Sequence, residues 1–295
     1  MKILVTGGAG FIGRHLVESL SENHSITIYD NLSNSTKPSF ENIDFVKGDI
    51  LDCDTLEKSS KGFDGIIHLA AKSDVTESVI HPEETMNVNV NGTQNVLKVC
   101  VQNKIKKIIF ASSAAVYGEH DEIITEESKT NPLSPYGKSK LQAEEKIKIY
   151  SKKYNLDAIV FRMFNVYGKG QTLQYAGVIT KFAENILQNI PLTIYGDGRQ
   201  TRDFISIDDV VEAYHCALDN NQEKKSIIYN LGTGVETSIT HLAKLMIEIS
   251  GKNLEINYVD GKKGDINHSV ADVALAKNEL GFVAKTKLRE GLTKI

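Results

Sequence analysis

The sequence predicts an α/β protein: a doubly wound parallel sheet followed by a smaller α/β lobe. Two observations carry this. Short β-branched runs alternate with longer amphipathic stretches over the first two-thirds of the chain, the pattern of a parallel sheet covered by helices. A glycine-rich turn also separates the first apolar run from the first amphipathic one. Apolar runs predict strands at 2–6, 26–30, 43–47, 65–69, 107–112 and 157–163. Helical periodicity predicts helices at about 12–21, 53–60, 83–103 and 135–154, each long enough to cross back over a sheet in the right-handed sense. After about residue 166 the alternation loosens. GKGQTLQYAG reads as loop, 177–190 as helix, and LTIY at 192–195 as an isolated strand before the turn GDG. Residues 204–218 and 227–231 read as one more helix and strand of the first sheet. The expected division is therefore 1–165 with 204–232 in the first domain, and 166–203 with 233–295 in the second lobe.

Composition narrows the function. In 295 residues, 34 Lys and Arg stand against 38 Asp and Glu, a net charge of −4, which offers no electrostatic footprint for nucleic acid or an anionic membrane. Hydrophobic residues at 41% and charged residues at 24% are those of a globular protein, not of a disordered, collagenous or coiled-coil chain. No apolar run approaches the roughly 20 residues that cross a bilayer, and Met1 is followed at once by strand-like KILVTG; a cytoplasmic protein is expected. Cys53, Cys100 and Cys216 lie far apart without CxxC spacing, which fits a reducing compartment. Eight scattered His residues show no HxxxH or paired carboxylate, so no metal site is expected. The acidic patch DEIITEE at 121–127 reads as a solvated loop.

In KILVTGGAGFIGRHLVESL, glycines 7, 8, 10 and 13 join a hydrophobic strand to an amphipathic helix. Gly7 and Gly8 suit a sharp turn, Gly10 lets backbone approach a pyrophosphate, and Gly13 permits close helix–strand packing. Phe11 and Ile12 open a helix whose unpaired N–H groups face the anion. This is the dinucleotide-binding turn of a Rossmann sheet. The second strand, SITIYD, ends in Asp30, 23 residues beyond Gly7, near the roughly 20-residue offset of the acid that holds the adenosine ribose. A carboxylate there repels a 2′-phosphate, so NAD is favoured over NADP. Asp30-Asn31 alone would read as an Asx turn ending a strand.

SPYGKSK at 134–140 starts a helix, with Ser134 as N-cap and Pro135 at the first helical position. Tyr136 and Lys140 then share one helical face, while Lys138 points elsewhere. A phenol titrates near ~10, so a base working at pH ~7 needs about 4 kcal/mol in favour of the phenolate. A neighbouring ammonium and a positive nicotinamide ring act in that direction. KIIFASSAAVYG places Ser112 and Ser113 at the carboxyl end of a strand, where ligands of α/β sheets bind. A hydroxyl there can link base and substrate; Ser113 is the chosen candidate, with strand-end capping the alternative for Ser112.

These residues resemble the extended short-chain dehydrogenase/reductase family, and within it the nucleotide-sugar 4-epimerases. The resemblance runs through nearly the whole chain: TGGAGFIG, YDN at 29–31, GDI at 48–50, HLAA at 68–71, NVNGT at 89–93, SSAAVYG at 112–118, SPYGKSK, RMFNVYG at 162–168, GDGRQTRDFI at 196–205 and KKGDI at 262–266. It implies NAD as cofactor, with Asp49 and Ile50 at the adenine and Leu69, Ala70 and Ala71 along its phosphates and ribose. Asn89 would lie near the nicotinamide, and Tyr136 and Lys140 would hold the nicotinamide ribose. It also implies a UDP-sugar substrate. Asn165 and Arg202 would contact the diphosphate, and Val178 with the segment Thr193 to Tyr195 the uridine. Arg suits that clamp because its planar fork donates two parallel hydrogen bonds, although an ion pair with Asp203 or Asp208 would also explain it.

The implied activity is interconversion of C4 epimers through a transient 4-ketose, with Ser113, Tyr136 and Lys140 as the catalytic group. A 4,6-dehydratase or decarboxylase of nucleotide sugars is the alternative. Relatives of those kinds usually place an acidic residue just after the catalytic Ser or Thr, where this chain has Ala114 and Ala115. A non-catalytic NAD-binding sensor would not need Tyr136 and Lys140. Two departures stand out. The family's Arg-x-Gly-Asp is Lys262-Lys263-Gly264-Asp265 here, replacing a fork by a point charge at Lys262, and the LREGLTKI ending is short. Ser269 occupies a position where epimerases restricted to glucose and galactose carry a bulky Tyr, which leaves room for an N-acetyl group. Homodimerisation through the helices at about 83–103 and 135–154 is expected by the same analogy.

Overall fold

A computed structural model describes residues 1–171, 177–220, 227–261, 264 and 266–295. Strands in chain order are β1 (Lys2–Thr6), β2 (Ser25–Asp30), β3 (Asp44–Lys47), β4 (Gly65–His68), β5 (Lys107–Ser113), β6 (Asp157–Met163), β7 (Asn165–Tyr167), β8 (Leu192–Tyr195), β9 (Thr201–Arg202), β10 (Phe204–Ser206), β11 (Ile227–Leu231), β12 (Thr237–Ser238) and β13 (Ile256–Val259). Helices are α1 (Phe11–Leu20), α2 (Cys53–Ser59), α3 (Val75–Ile80), α4 (Pro82–Met86), α5 (Thr93–Gln102), α6 (Pro135–Tyr154), α7 (Val178–Leu187), α8 (Ile207–Asp219), α9 (Ile239–Ser250), α10 (Ala274–Leu280) and α11 (Leu288–Leu292). Every predicted strand of the first two-thirds is present to within a residue or two. The long helix expected at 83–103 is instead α4 and α5 joined by a π-helical turn, Asn87–Gly92.

Seven strands pair in parallel in the order β11-β6-β5-β4-β1-β2-β3. The order reverses between β1 and β4, which opens a crevice at their carboxyl ends. Side chains of β1 alternate between the two layers, as period-2 geometry requires. Ile3 and Val5 join Leu16, Val17 and Leu20 of α1 and Val210, Ala213 and Ala217 of α8 on one face. Leu4 joins Val96 and Leu97 of α5 and Ala143 and Ile147 of α6 on the other.

A third core belongs to the second lobe: Ile179 and Phe182 of α7, Leu192 and Ile194 of β8, and Leu242 and Met246 of α9. LTIY is not isolated, because β13 pairs with it in parallel, Ile256 opposite Leu192. The C-terminal stretch also reaches the large sheet. Ala276, Leu280 and Phe282, placed with the second lobe, pack into the core beneath the seven-stranded sheet. Residues 204–206, expected to open a helix, form β10 beside β7 before α8 begins.

Candidate active site

The crevice between β1 and β4 is built by backbone. Gly7 sits at φ +72°, and a Cβ there would lie 2.6 Å from the Ala70 nitrogen, so only glycine lets the β1 and β4 exits meet. At Gly13 a Cβ would overlap the Gly7 carbonyl; α1 therefore packs directly on the turn. Gly10 is the N-cap of α1 and makes no side-chain capping bond, leaving the first-turn N–H groups of Phe11 and Ile12 directed at the crevice mouth.

Asp30 makes the Asx turn and also ties two segments together. Its Oδ2 accepts from the Ala9 N–H at 3.0 Å, tying the glycine turn to β2, and its Oδ1 accepts from the Leu32 N–H at 2.8 Å as an Asx turn. Asn31 donates to Asp49 Oδ2 at 2.9 Å, and Asp49 Oδ1 accepts from the Leu51 N–H. These bonds place Asp49 and the buried Ile50 next to the end of β2. The glycine cradle, the carboxylate and the open helix terminus together fit NAD.

Leu69, Ala70 and Ala71 leave β4 beside this cradle, with the Leu69 N–H bonded to the Thr6 carbonyl. The exit is fixed by a buried chain of polar groups. Thr93 donates its hydroxyl proton to the Asn89 carbonyl at 2.6 Å, so it accepts from His68 Nε2–H at 2.9 Å, and His68 Nδ1 accepts from Thr6 at 2.7 Å. His68 is neutral: burial, and secondarily the Lys140 charge, push it down to about 3. Asn89, expected near the nicotinamide, is buried and held by protein bonds. Its amide bridges both the N–H and the carbonyl of Lys72, at 2.8 and 2.9 Å, and donates to Ser139 at 2.9 Å, which bolts the β4 exit to α6.

The catalytic group assembles where β5 and α6 meet. The Ser134 hydroxyl accepts from the Gly137 N–H at 3.0 Å, and Pro135 opens α6, as the sequence requires. Tyr136 and Lys140 are buried on one face, and Lys138 is exposed. The remaining first-turn N–H, that of Tyr136, donates to Ser78 Oγ at 3.2 Å. Ser78 lies on α3, a short helix that sequence reading missed. The two serines separate by strand alternation. Ser113 stands on the side of the Tyr136 phenol, where it draws the phenol down against burial, and its Oγ accepts from the Ala115 N–H at 3.2 Å, whereas Ser112 turns the other way and donates to Glu144. Ser113 is thus the partner of the phenol.

The electrostatics correct the sequence argument. Burial pushes the Tyr136 phenol up, and the Ser113 hydrogen bond offsets this only in part. Lys140 Nζ lies 5.9 Å from the Tyr136 ring centroid and donates to the Ala111 carbonyl at 2.8 Å, and burial draws it down to about 7 against the opposing pull of Glu144. The chain's own groups therefore do not create a phenolate; a cation arriving beside Tyr136 must supply that bias.

The second lobe brings its candidates together around residues 266–269. Arg202 donates to the Ile266 carbonyl at 2.6 Å, and the Asp203 N–H to the Ser269 carbonyl at 2.9 Å, while Ser269 is buried. Asn165, two residues past the end of β6, donates its amide to the Asp203 carbonyl at 3.2 Å. The Asp203 carboxylate accepts from Thr233, Gly234 and Ala271, and Asp208 pairs with Lys294 at 2.7 Å. Tyr195, Gln200 and Asn267 line a cavity of about 270 Å³. Val178 and Thr193 lie on α7 and β8 of the same lobe, Val178 packed against its core. Lys262 lies outside the described residues. Among the described residues no cluster of His, Cys, Asp or Glu could hold a metal.

A glycine-rich turn at the switch point of a parallel sheet and a buried Tyr136 and Lys140 on α6 are the features of a protein that binds a dinucleotide. Comparison with known proteins narrows the class. A profile of the NAD dependent epimerase/dehydratase family matches residues 3–232, and the chain belongs to that family. It is 40% identical over 299 residues to a putative UDP-glucose 4-epimerase of Methanocaldococcus jannaschii, covering 99% of this chain and 96% of that one. Its fold is similar to the UDP-glucose 4-epimerase of Thermotoga maritima solved with UDP-glucose, at TM-score 0.95 and 35% identity over 99% of this chain and 96% of that one. It is similar too to a UDP-N-acetylglucosamine 4-epimerase of Methanobrevibacter ruminantium in complex with UDP-N-acetylmuramic acid, at TM-score 0.94, 35% identity and the same coverage.

Proposed function

We propose that this protein is an NAD-dependent 4-epimerase of UDP-sugars, and that the buried Ser113–Tyr136–Lys140 group beside the switch-point crevice performs it. The burial of Tyr136 and Lys140 together on one face of α6, with Lys140 Nζ 5.9 Å from the centre of the phenol ring, is the observation that carries the reading. NAD, held by the turn at Gly7, Gly10 and Gly13, by Asp30 and by the loops at Asn31, Asp49, Ile50 and Leu69 to Ala71, supplies a hydride acceptor and a positive ring when bound. That charge is the bias the buried phenol lacks. Tyr136 takes the proton of the sugar 4-hydroxyl as hydride leaves C4, and Ser113 hydrogen-bonds the oxygen that becomes the ketone. Lys140 anchors the ribose and adds its charge. The ketose turns about its diphosphate link, and the proton returns from Tyr136 as hydride returns to the opposite face. Asn165 and Arg202 hold the diphosphate, and Val178, Thr193 and Tyr195 the uridine, so that the ketose is retained while it turns.

The buried Ser269 leaves space at C2 for an N-acetyl group, which widens the substrate class beyond UDP-glucose and UDP-galactose. The chain divides its labour between a cofactor domain built on the large sheet and a nucleotide-sugar lobe around β8 and α9. Exposed Ile149 and Tyr154 on α6 support a homodimer through that helix, and three unpaired cysteines fit a cytoplasmic enzyme. Incubation of the purified protein with UDP-glucose, UDP-N-acetylglucosamine or UDP-glucuronate, followed by separation of C4 epimers, tests the reading. A 4-keto-6-deoxy product or released carbon dioxide would replace it with the dehydratase or decarboxylase reaction.

A further inference from the structure

Asp203, between β9 and β10, is fully buried. A buried carboxylate persists only when its lone pairs are filled, and here N–H and O–H donors fill them, with no cation paired to it among the described residues. Oδ1 accepts from the Thr233 N–H at 2.8 Å and from the Thr233 hydroxyl at 2.6 Å. Oδ2 accepts from the Gly234 N–H at 2.9 Å and from the Ala271 N–H at 3.3 Å. The turn after β11 is shaped to the carboxylate. Gly234 stands at φ +74°, where two successive N–H groups converge on one anion, and a Cβ on Gly232 would lie 2.5 Å from Oδ2. Burial pushes the Asp203 carboxyl up, and these four bonds oppose it.

We propose that Asp203 is a positioning residue for the substrate: its carboxylate pins residues 266–271 to the end of β11 and so sets the spacing of Asn165, Arg202 and Ser269 around the nucleotide sugar. The backbone of the same residue completes the joint. Its N–H donates to the Ser269 carbonyl at 2.9 Å, and its carbonyl accepts from the Asn165 N–H at 3.0 Å and from the Asn165 side-chain amide at 3.2 Å. Arg202, immediately before it, donates to the Ile266 carbonyl at 2.6 Å, and the Thr201 N–H to the Asn267 carbonyl at 2.8 Å. One residue therefore joins the exits of β6 and β11, on the large sheet, to the segment of the second lobe that carries Ser269. A carboxylate that only stabilised the fold would need no such placement. Asp209, on the first turn of α8, is of that plainer kind: it is buried at 5% exposure and accepts from the Lys285 and Thr286 N–H groups at 2.9 and 3.1 Å, away from every substrate candidate.

The inference rests on the nucleotide-sugar reading of the second lobe. Its test is the binding of UDP to the NAD-loaded protein, read by titration calorimetry without turnover. Asp203→Asn keeps the shape and one acceptor oxygen but turns an NH2 group, which cannot accept, toward backbone donors. It should weaken UDP at least about tenfold and NAD less than about threefold. Asp209→Asn, which makes the same exchange opposite two backbone donors, should lower the melting temperature and leave both affinities within about threefold. If Asp203→Asn does not fold, Thr233→Val, which deletes only the hydroxyl bond, carries the test with an expected loss of about three- to tenfold in UDP affinity. Wild-type UDP affinity in the folded variant, an equal loss of UDP and NAD, or as large a loss of UDP in Asp209→Asn overturns the proposal and leaves Asp203 a structural carboxylate. A wild-type protein that binds NAD but not UDP overturns the nucleotide-sugar reading, and the proposal with it.

Discussion

Replacing Tyr136 by Phe removes a single buried hydroxyl and separates chemistry from binding. Its structural cost is small. The neighbouring Ser113 keeps the Ala115 N–H as donor at 3.2 Å whether or not the hydroxyl is present, so no more than about 1 kcal/mol of stability is lost. The ring stays between Lys140 and the start of α6, whose capping by Ser134 and Ser78 does not involve the hydroxyl. Cofactor affinity rests mainly on the glycine turn, Asp30 and the β4 exit, and should change less than about threefold. Catalysis loses its proton acceptor, which removes about 10²–10⁴ in kcat, or roughly 3–5 kcal/mol of transition-state stabilisation. The assay separates UDP-glucose from UDP-galactose at saturating substrate, with bound NAD quantified in the same sample. A variant that keeps more than about a tenth of the wild-type kcat, or that loses activity only in proportion to lost cofactor, would remove Tyr136 from the base role.

Gly7→Ala forces a Cβ to within 2.6 Å of the Ala70 nitrogen at φ +72°, so it should cost roughly 1–2 kcal/mol or more of stability and at least about tenfold in NAD affinity, read by thermal melting and cofactor titration. His68 is held neutral, with its pKa depressed from 6.5 to about 3, so the stability it contributes is present above pH 6.5 and is lost as pH falls towards 3, at up to about 1.4 kcal/mol per pH unit. Denaturation of His68→Gln between pH 7 and 4 should show a shallower acid loss than wild type; equal slopes would place the acid sensitivity elsewhere. Ser269→Tyr puts a bulky ring in place of a small buried side chain and should depress kcat/KM for UDP-N-acetylglucosamine by about 10–200-fold relative to UDP-glucose. An unchanged ratio in competition assays would detach Ser269 from the C2 substituent.

Much of the first sheet was legible because parallel strands buried on both faces read as unbroken apolar runs, as in KILVT and AIVFRM. The start of α6 was legible for another reason: Ser134 and Pro135 satisfy local rules that need no tertiary partner. The later elements obey no such rule. β13, INYV, is half polar and exposed along much of its length, and its pairing with β8 spans more than 60 residues, so only the fold reveals it. The π turn at Asn87–Gly92 is invisible to a periodicity argument that treats 83–103 as one helix.

Within the site, residue identities could be read, but their environments could not. Burial decides the direction of the Tyr136 phenol, and no spacing of Tyr and Lys conveys burial. The bonds that Asn89 makes to Lys72 and Ser139, distant in sequence, could not be read either. Asp203 reads as an ion-pair partner for Arg202 until Thr233, Gly234 and Ala271 are seen to enclose its carboxylate.

The central claim is that C4 is oxidised and reduced again within one site, with the same hydride leaving and returning. The direct measurement is UDP-galactose carrying deuterium at C4, turned over by the NAD-loaded protein in ordinary water, with the UDP-glucose formed examined by NMR and mass spectrometry. Retention of deuterium at C4 of the inverted product is the predicted result. Product with hydrogen at C4, or no inverted product while a ketone or a decarboxylated sugar accumulates, would contradict it.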